Sequence, residues 1–139
     1  MPEKIPTYVL DSFALLAYFQ AEPGGDQVRT LLEAARDHQA VLHISLINVG
    51  EMYYITYREQ GRDRAEEMLR DLRTLPLVFA VVSEERVLVS ARLKATYPLS
   101  YADAFAITLA QELGATLVTG DPEFKSVASI VKVLWLTPQ

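Results

Sequence analysis

The chain has 139 residues with thirteen basic and eighteen acidic side chains, a net charge of −5, and a residue balance that is half hydrophobic and 22% charged. That is the composition of a folded globular protein of single-domain size, not a disordered one, and it argues against a surface that is basic overall. The absence of cysteine excludes disulfide scaffolds, thiolate metal sites and cysteine nucleophiles, and two histidines are too few for a histidine-rich metal site. Any chemistry rests on carboxylates, hydroxyls and amides.

In chain order, Thr7-Tyr8-Val9-Leu10 reads as a strand, followed by an apolar helix over 12–20. After Pro23-Gly24-Gly25, Val28, Leu31, Leu32 and Ala35 mark a helix over 26–37. A short strand over 40–44 leads to Ser45, placed to cap a helix running to about residue 59. Gly61 separates it from a charged amphipathic helix over 63–75, with Ala65, Met68, Leu69 and Leu72 as its apolar stripe. Pro76 ends that helix, and 77–82 is an apolar run of strand length. Ser83 opens the next helix, which Pro98 stops, and Ser100 with Asp103 opens another that closes at Gly114. The last strands are expected over 115–119 and 130–136, with Trp135 in the core.

Apolar strands alternating with helices predict an α/β fold: three layers around a central, mostly parallel sheet of about five strands. Ligands in such sheets bind outside the carboxyl ends of the strands. No run of residues is apolar enough to span a membrane, and the first twenty residues lack a signal-peptide pattern, so the expectation is a soluble cytoplasmic protein without membrane partners.

Four carboxylates interrupt apolar surroundings. Asp11 is the only charge between Lys4 and Glu22, Glu51 the only formal charge between His43 and Arg58, Asp103 the only one between Lys94 and Glu112, and Asp121 the only one between Glu112 and Glu123. Each has a local explanation. Asp11 could cap the following helix, Asp103 stands where a capping-box acid belongs, Asp121 before Pro122 is a turn opener, and Glu51 could pair with an arginine. Taken together they point elsewhere, because two follow strands and two lie near helix starts at the same sheet edge. Clustered carboxylates repel unless protonated or bridged by a cation, and an all-oxygen cluster suits Mg²⁺ or Mn²⁺.

The segments Val9-Leu10-Asp11-Ser12, Ser45 with Asn48-Val49-Gly50-Glu51, Tyr101-Ala102-Asp103-Ala104 and Val118-Thr119-Gly120-Asp121 resemble the four acidic motifs of PIN-domain nucleases. More narrowly, the chain is similar to VapC-type toxins of toxin–antitoxin pairs, over nearly its whole length, as a single PIN domain spanning 1–139. The resemblance implies that Asp11, Glu51, Asp103 and Asp121 form the catalytic quartet, with Asp11, Asp103 and Asp121 as metal ligands. Ser12, Ser45, Asn48 and Thr119 are the implied supporting polar groups, and Glu123 is either an outer acid of the site or a solvated loop residue. It further implies a Mg²⁺-dependent endoribonuclease, with Mn²⁺ able to substitute, that cuts RNA to leave a 5′-phosphate and a 3′-hydroxyl. A cognate antitoxin and a homodimer are the implied partners, the antitoxin groove being formed in part by the helix bearing Tyr53, Tyr54 and Tyr57 and the helix after it.

Two other chemistries fit poorly. A haloacid-dehalogenase-type phosphatase needs a second aspartate where Phe13 stands, and a receiver domain needs paired acids at the first strand and a lysine after the last. The non-enzymatic alternative is a degenerate PIN domain that binds RNA or protein. Arg58, Arg62, Arg64, Arg70 and Arg73 are interleaved with Glu59, Asp63, Glu66, Glu67 and Asp71, so that segment reads as a solvated, charge-balanced face.

Overall fold

The computed structural model describes residues 4–136. Five strands, β1 (Thr7–Leu10), β2 (Val41–Ser45), β3 (Val78–Ala80), β4 (Thr116–Thr119) and β5 (Val133–Trp135), form one sheet in the order β3-β2-β1-β4-β5. Every pairing is parallel. The helices are α1 (Ser12–Phe19), α2 (Gly25–Arg36), α3 (Leu46–Gln60), α4 (Arg62–Arg73), α5 (Glu84–Thr96) and α6 (Tyr101–Leu113). A 3-10 helix, Pro122–Val127, follows β4.

The two-residue period of the strands divides the core. Leu10, Leu42, Ile44 and Val118 face α1 to α4, where they pack with Leu15, Val28, Leu32, Met52, Met68 and Leu72. Their neighbours Val9 and Leu117 face the other way, against Ile107, Leu109, Phe124 and Val127. The result is the three-layer α/β/α arrangement expected of strands buried on both faces. Residues 103–110 of α6 are all buried, and its Thr108 hydroxyl shares a 2.8 Å hydrogen bond with Ser90 of α5. A carboxylate on the first turn of so buried a helix has little bulk water around it.

Local chemistry sets the helix starts. Asp11, Ser45, Ser83 and Ser100 each cap the helix that follows them with a side-chain oxygen. Between α1 and α2 the chain turns so tightly that a Cβ on Gly25 would lie 2.7 Å from the Ala17 carbonyl oxygen. Backbone cannot yield as a side-chain tip can, so Gly25→Ala is expected to cost about 1–3 kcal/mol, read as a lowered midpoint in urea denaturation.

The edge strands are shorter than the apolar runs that encode them: β3 keeps only the middle of 77–82, and β5 only three residues of 130–136. Each has one neighbouring strand, so the ends of the run have no ladder to join. Trp135 is not a core residue. It stands on the outermost strand and is 37% exposed, while Leu136 beside it is buried. Tyr54 and Tyr57 are exposed and Tyr53 half-buried, and all five arginines of the 58–73 stretch are solvated. His43 is half-buried on an interior strand.

Candidate active site

From β1 the sheet grows to one side through β2 and β3, and the chain then returns to lay β4 on the other side of β1. The carboxyl ends of β1 and β4 therefore flank a topological switch point, where such sheets form a crevice. Asp11 is the first residue after β1, and Asp121 lies two residues beyond β4. From above the same edge α3 contributes Glu51 and α6 contributes Asp103. These four carboxylates and Glu123 line one open cleft of about 270 Å³, together with Ser12, Phe13, Leu16, Ile55 and Ser100.

Within it the carboxylates of Asp103, Asp121 and Glu123 come together, each offering an oxygen within 4.8 Å of the others. Asp121 is steered there by its own turn: its Oδ1 accepts the Glu123 amide at 2.9 Å, capping the 3-10 helix that carries Glu123 toward the cleft. Asp103 is buried, and its backbone amide donates to Ser100 Oγ at 3.1 Å.

Asp11 is held differently. Its Oδ1 accepts the Ala14 amide at 2.8 Å, and its Oδ2 accepts the Thr119 hydroxyl at 2.5 Å. Thr119 Oγ1 in turn accepts the Asp121 amide at 3.0 Å, so one buried threonine ties the ends of β1 and β4 together. Thr119→Val keeps the shape and removes both bonds. We expect a loss of about 1–3 kcal/mol in thermal unfolding and activity reduced by about 10–100-fold, because Asp11 loses its orienting donor.

A second network fixes Glu51. Its Oε1 accepts the Ser12 hydroxyl at 2.5 Å, and Ser12 Oγ receives Asn48 Nδ2 at 3.3 Å. Asn48 also donates to the Ala102 carbonyl at 3.3 Å, joining α3 to α6 one residue before Asp103. Its own amide oxygen is buried and has no hydrogen-bond partner among the described residues. Ser45 does not line the cleft; it is buried and caps α3 through the Ile47 amide. Asn48 and Thr119 likewise stand behind the cleft and act on the residues that line it.

Burial pushes the Asp11 carboxyl up to about 7; the Thr119 and Ala14 hydrogen bonds oppose this, while the charges of Asp103 and Asp121 add to it. Burial also raises Asp103, to about 6, with Ser100 opposing and Glu51, Asp121 and Glu123 adding repulsion. Among the described residues the ion pairs are Arg64–Glu67 and Arg86–Glu112, and neither reaches the cleft. Five acids with oxygen donors only, mutual repulsion and no cationic side chain among them fit a hard divalent cation.

Ser100 and Phe13 line the cleft without being among the residues expected there from the sequence. Ser100 was legible as a cap, and the cleft follows from its contact with Asp103.

An α/β/α domain with an all-oxygen acidic cleft at its switch point has a donor set that suits a divalent cation. The PIN domain profile matches residues 8–130, and the chain belongs to that family, which supports nuclease activity. No curated protein matches the chain by sequence. Among solved structures it is similar to VapBC2 from Rickettsia felis bound to a promoter DNA fragment, with a TM-score of 0.71 and 19% identity over 94% of this chain and 99% of that one. It is similar to a toxin–antitoxin complex from Klebsiella pneumoniae, with a TM-score of 0.67 and 21% identity over 95% and 99% of the two chains. It is also similar to the sarcin–ricin loop cleaving toxin VapC20 from Mycobacterium tuberculosis, with a TM-score of 0.70 and 13% identity over 86% and 94%.

Proposed function

We propose that this chain, as a single PIN domain, is a Mg²⁺-dependent endoribonuclease and the toxin of a toxin–antitoxin pair, acting in the cytoplasm. The observation that carries the reading is the convergence of carboxylates from β1, α3, α6 and the β4 turn on one cleft with no cationic partner among them. In this reading Asp11, Asp103 and Asp121 hold the ion, with Glu123 as an added carboxylate. Mg²⁺ or Mn²⁺, when bound, acidifies water and neutralises charge that develops on the phosphate.

The chain's own residues supply the geometry. Glu51, oriented by Ser12, is placed to accept the proton of the attacking water, and Asp121 is the other candidate for that relay. The water oxygen bonds to phosphorus in line with the breaking P–O3′ bond. The 3′ oxygen leaves as a hydroxyl after taking a proton from solvent, and the downstream fragment keeps the phosphate on its 5′ end. Thr119 holds Asp11 and the Asp121 backbone in register throughout.

The toxin assignment rests on the toxin–antitoxin proteins among the structural neighbours. A small groove between α1, α3 and α4, where Leu16, Phe19 and Met68 meet Gln20, Thr56, Gln60, Arg64 and Asp71, is the expected seat of an antitoxin segment, and a homodimer is the expected assembly. A non-catalytic binding module would have no use for five converging acids. The test is to incubate purified protein with single-stranded and structured RNAs in Mg²⁺ and to determine the product ends. Products with 5′-phosphates, absent in EDTA, are expected; 2′,3′-cyclic phosphates would refute the mechanism, since they arise from attack by the 2′-hydroxyl and not by water.

A further inference from the structure

Phe13 immediately follows two residues of the cleft, Asp11 and Ser12, on the first turn of α1. The rest of that helix is apolar because it is core: Ala14, Leu15 and Ala17 are buried. Phe13 is not core. It is 43% exposed, and it lines the same cleft as the five carboxylates.

The ring is seated, not loose. A Cβ on Gly120 would lie 2.4 Å from Phe13 Cε1 and 3.1 Å from both Cδ1 and Cζ. The backbone between Thr119 and Asp121 therefore makes room for the edge of this ring. Gly120 is needed for that close approach, since its φ lies outside the left-handed region. An aromatic side chain is thus fixed against the turn that carries Asp121, partly open to solvent.

Electrostatics leave a binding problem that such a ring would solve. The protein carries a net charge of −5, the cleft is acidic, and the arginines of 58–73 are balanced by interleaved acids. A polyanion gains little from this surface through its phosphates alone. Base–aromatic stacking does not depend on charge and is open to any unpaired base.

We propose that Phe13 is the stacking platform for an unpaired nucleobase adjoining the scissile phosphate, making it a substrate-positioning residue. This rests on the ribonuclease reading above. A base held in a duplex has both faces covered by its neighbours, so the ring selects single-stranded or looped RNA over duplex.

The test uses an oligoribonucleotide that the wild-type protein cleaves, with 2-aminopurine placed in turn on each side of the cut. Binding is followed by fluorescence in the Asp103→Asn background, and cleavage in the otherwise wild-type protein. We expect quenching at one flanking position, lost in Phe13→Leu and kept in Phe13→Tyr and Phe13→Trp. Phe13→Leu should raise KM about ten-fold or more with kcat within about three-fold, and the aromatic variants should restore it. Leucine retains apolar bulk at an exposed position, so a melting temperature equal to wild type is expected and separates stacking from folding. Unchanged KM and quenching in Phe13→Leu would overturn the proposal and assign the ring to the neighbouring groove it shares with Leu16, Ala17 and Ile55, where a protein segment is the fitting occupant. Failure of Phe13→Tyr and Phe13→Trp to rescue would overturn it too. A wild-type protein that cuts no RNA would sink the ribonuclease reading first, before any variant is compared.

Discussion

Asp103→Asn is expected to lower RNA cleavage by about 10³-fold, roughly 4 kcal/mol of transition-state stabilisation, while making the metal-free protein more stable above pH 7. The two effects share one cause. Asp103 is buried on the first turn of α6, within 4.8 Å, oxygen to oxygen, of Asp121 and Glu123. With no cation present its charge is unfavourable, which is why its carboxyl is pushed up to about 6. Asparagine keeps the size and leaves the Ser100 cap on the backbone amide intact, yet it removes that repulsion. Trading stability for a poised site is common where function needs groups that folding alone would not select. Melting curves in EDTA and cleavage rates in Mg²⁺, measured on the same preparations, check both halves. A variant that lost activity and stability together would indicate misfolding instead.

The second large effect is a linkage between pH, divalent cation and stability. The Asp11 carboxyl has its ordinary value of 3.8 when unfolded and is pushed up to about 7 by burial when folded without metal. Between those values the folded state holds a proton that the unfolded state has lost. Raising the pH therefore removes stability from about pH 4 onward, and the loss is complete above about pH 7. For this buried group the span corresponds to on the order of 4 kcal/mol, with Asp103 adding a smaller share because its carboxyl is pushed up less, to about 6. A bound cation replaces the proton. Mg²⁺ or Mn²⁺ should thus raise the melting temperature by about 10 °C at pH 8 and by little at pH 5, checked by differential scanning fluorimetry at both values. Asp11→Asn should flatten the pH dependence. A cation effect equal at the two pH values would show that the ion does not engage these carboxylates.

The fold was largely readable from the chain because its determinants are local. Capping residues at 45, 83 and 100 and the stops at Pro76, Pro98 and Gly114 set the helix limits within a few residues. Continuous apolar strands pointed to a parallel sheet covered on both faces, and all five strands are parallel. Edge behaviour was not readable: whether an apolar run such as 77–82 stays paired depends on neighbours that only the tertiary structure supplies. For the same reason Trp135 looked like core and is not.

At the site, isolated charges in apolar surroundings were the legible signal, and all four such acids line one cleft. The division of labour among them was hidden. Sequence spacing cannot show that Asp11 is held by Thr119, or that Asp121 caps a 3-10 helix that brings Glu123 beside Asp103. Those contacts join residues up to 108 positions apart in the chain. Phe13 was invisible for a related reason, since an exposed and a buried phenylalanine are the same letter in an apolar helix.

The measurement that bears most directly on the whole account is a Mg²⁺ titration read in two ways on one preparation: calorimetric binding to the free protein, and the rate of RNA cleavage. The account predicts binding in the wild type, cleavage that rises with added Mg²⁺ and vanishes in EDTA, and the loss of both in Asp103→Asn. Cleavage that persisted in EDTA, or that Asp103→Asn left intact, would contradict it.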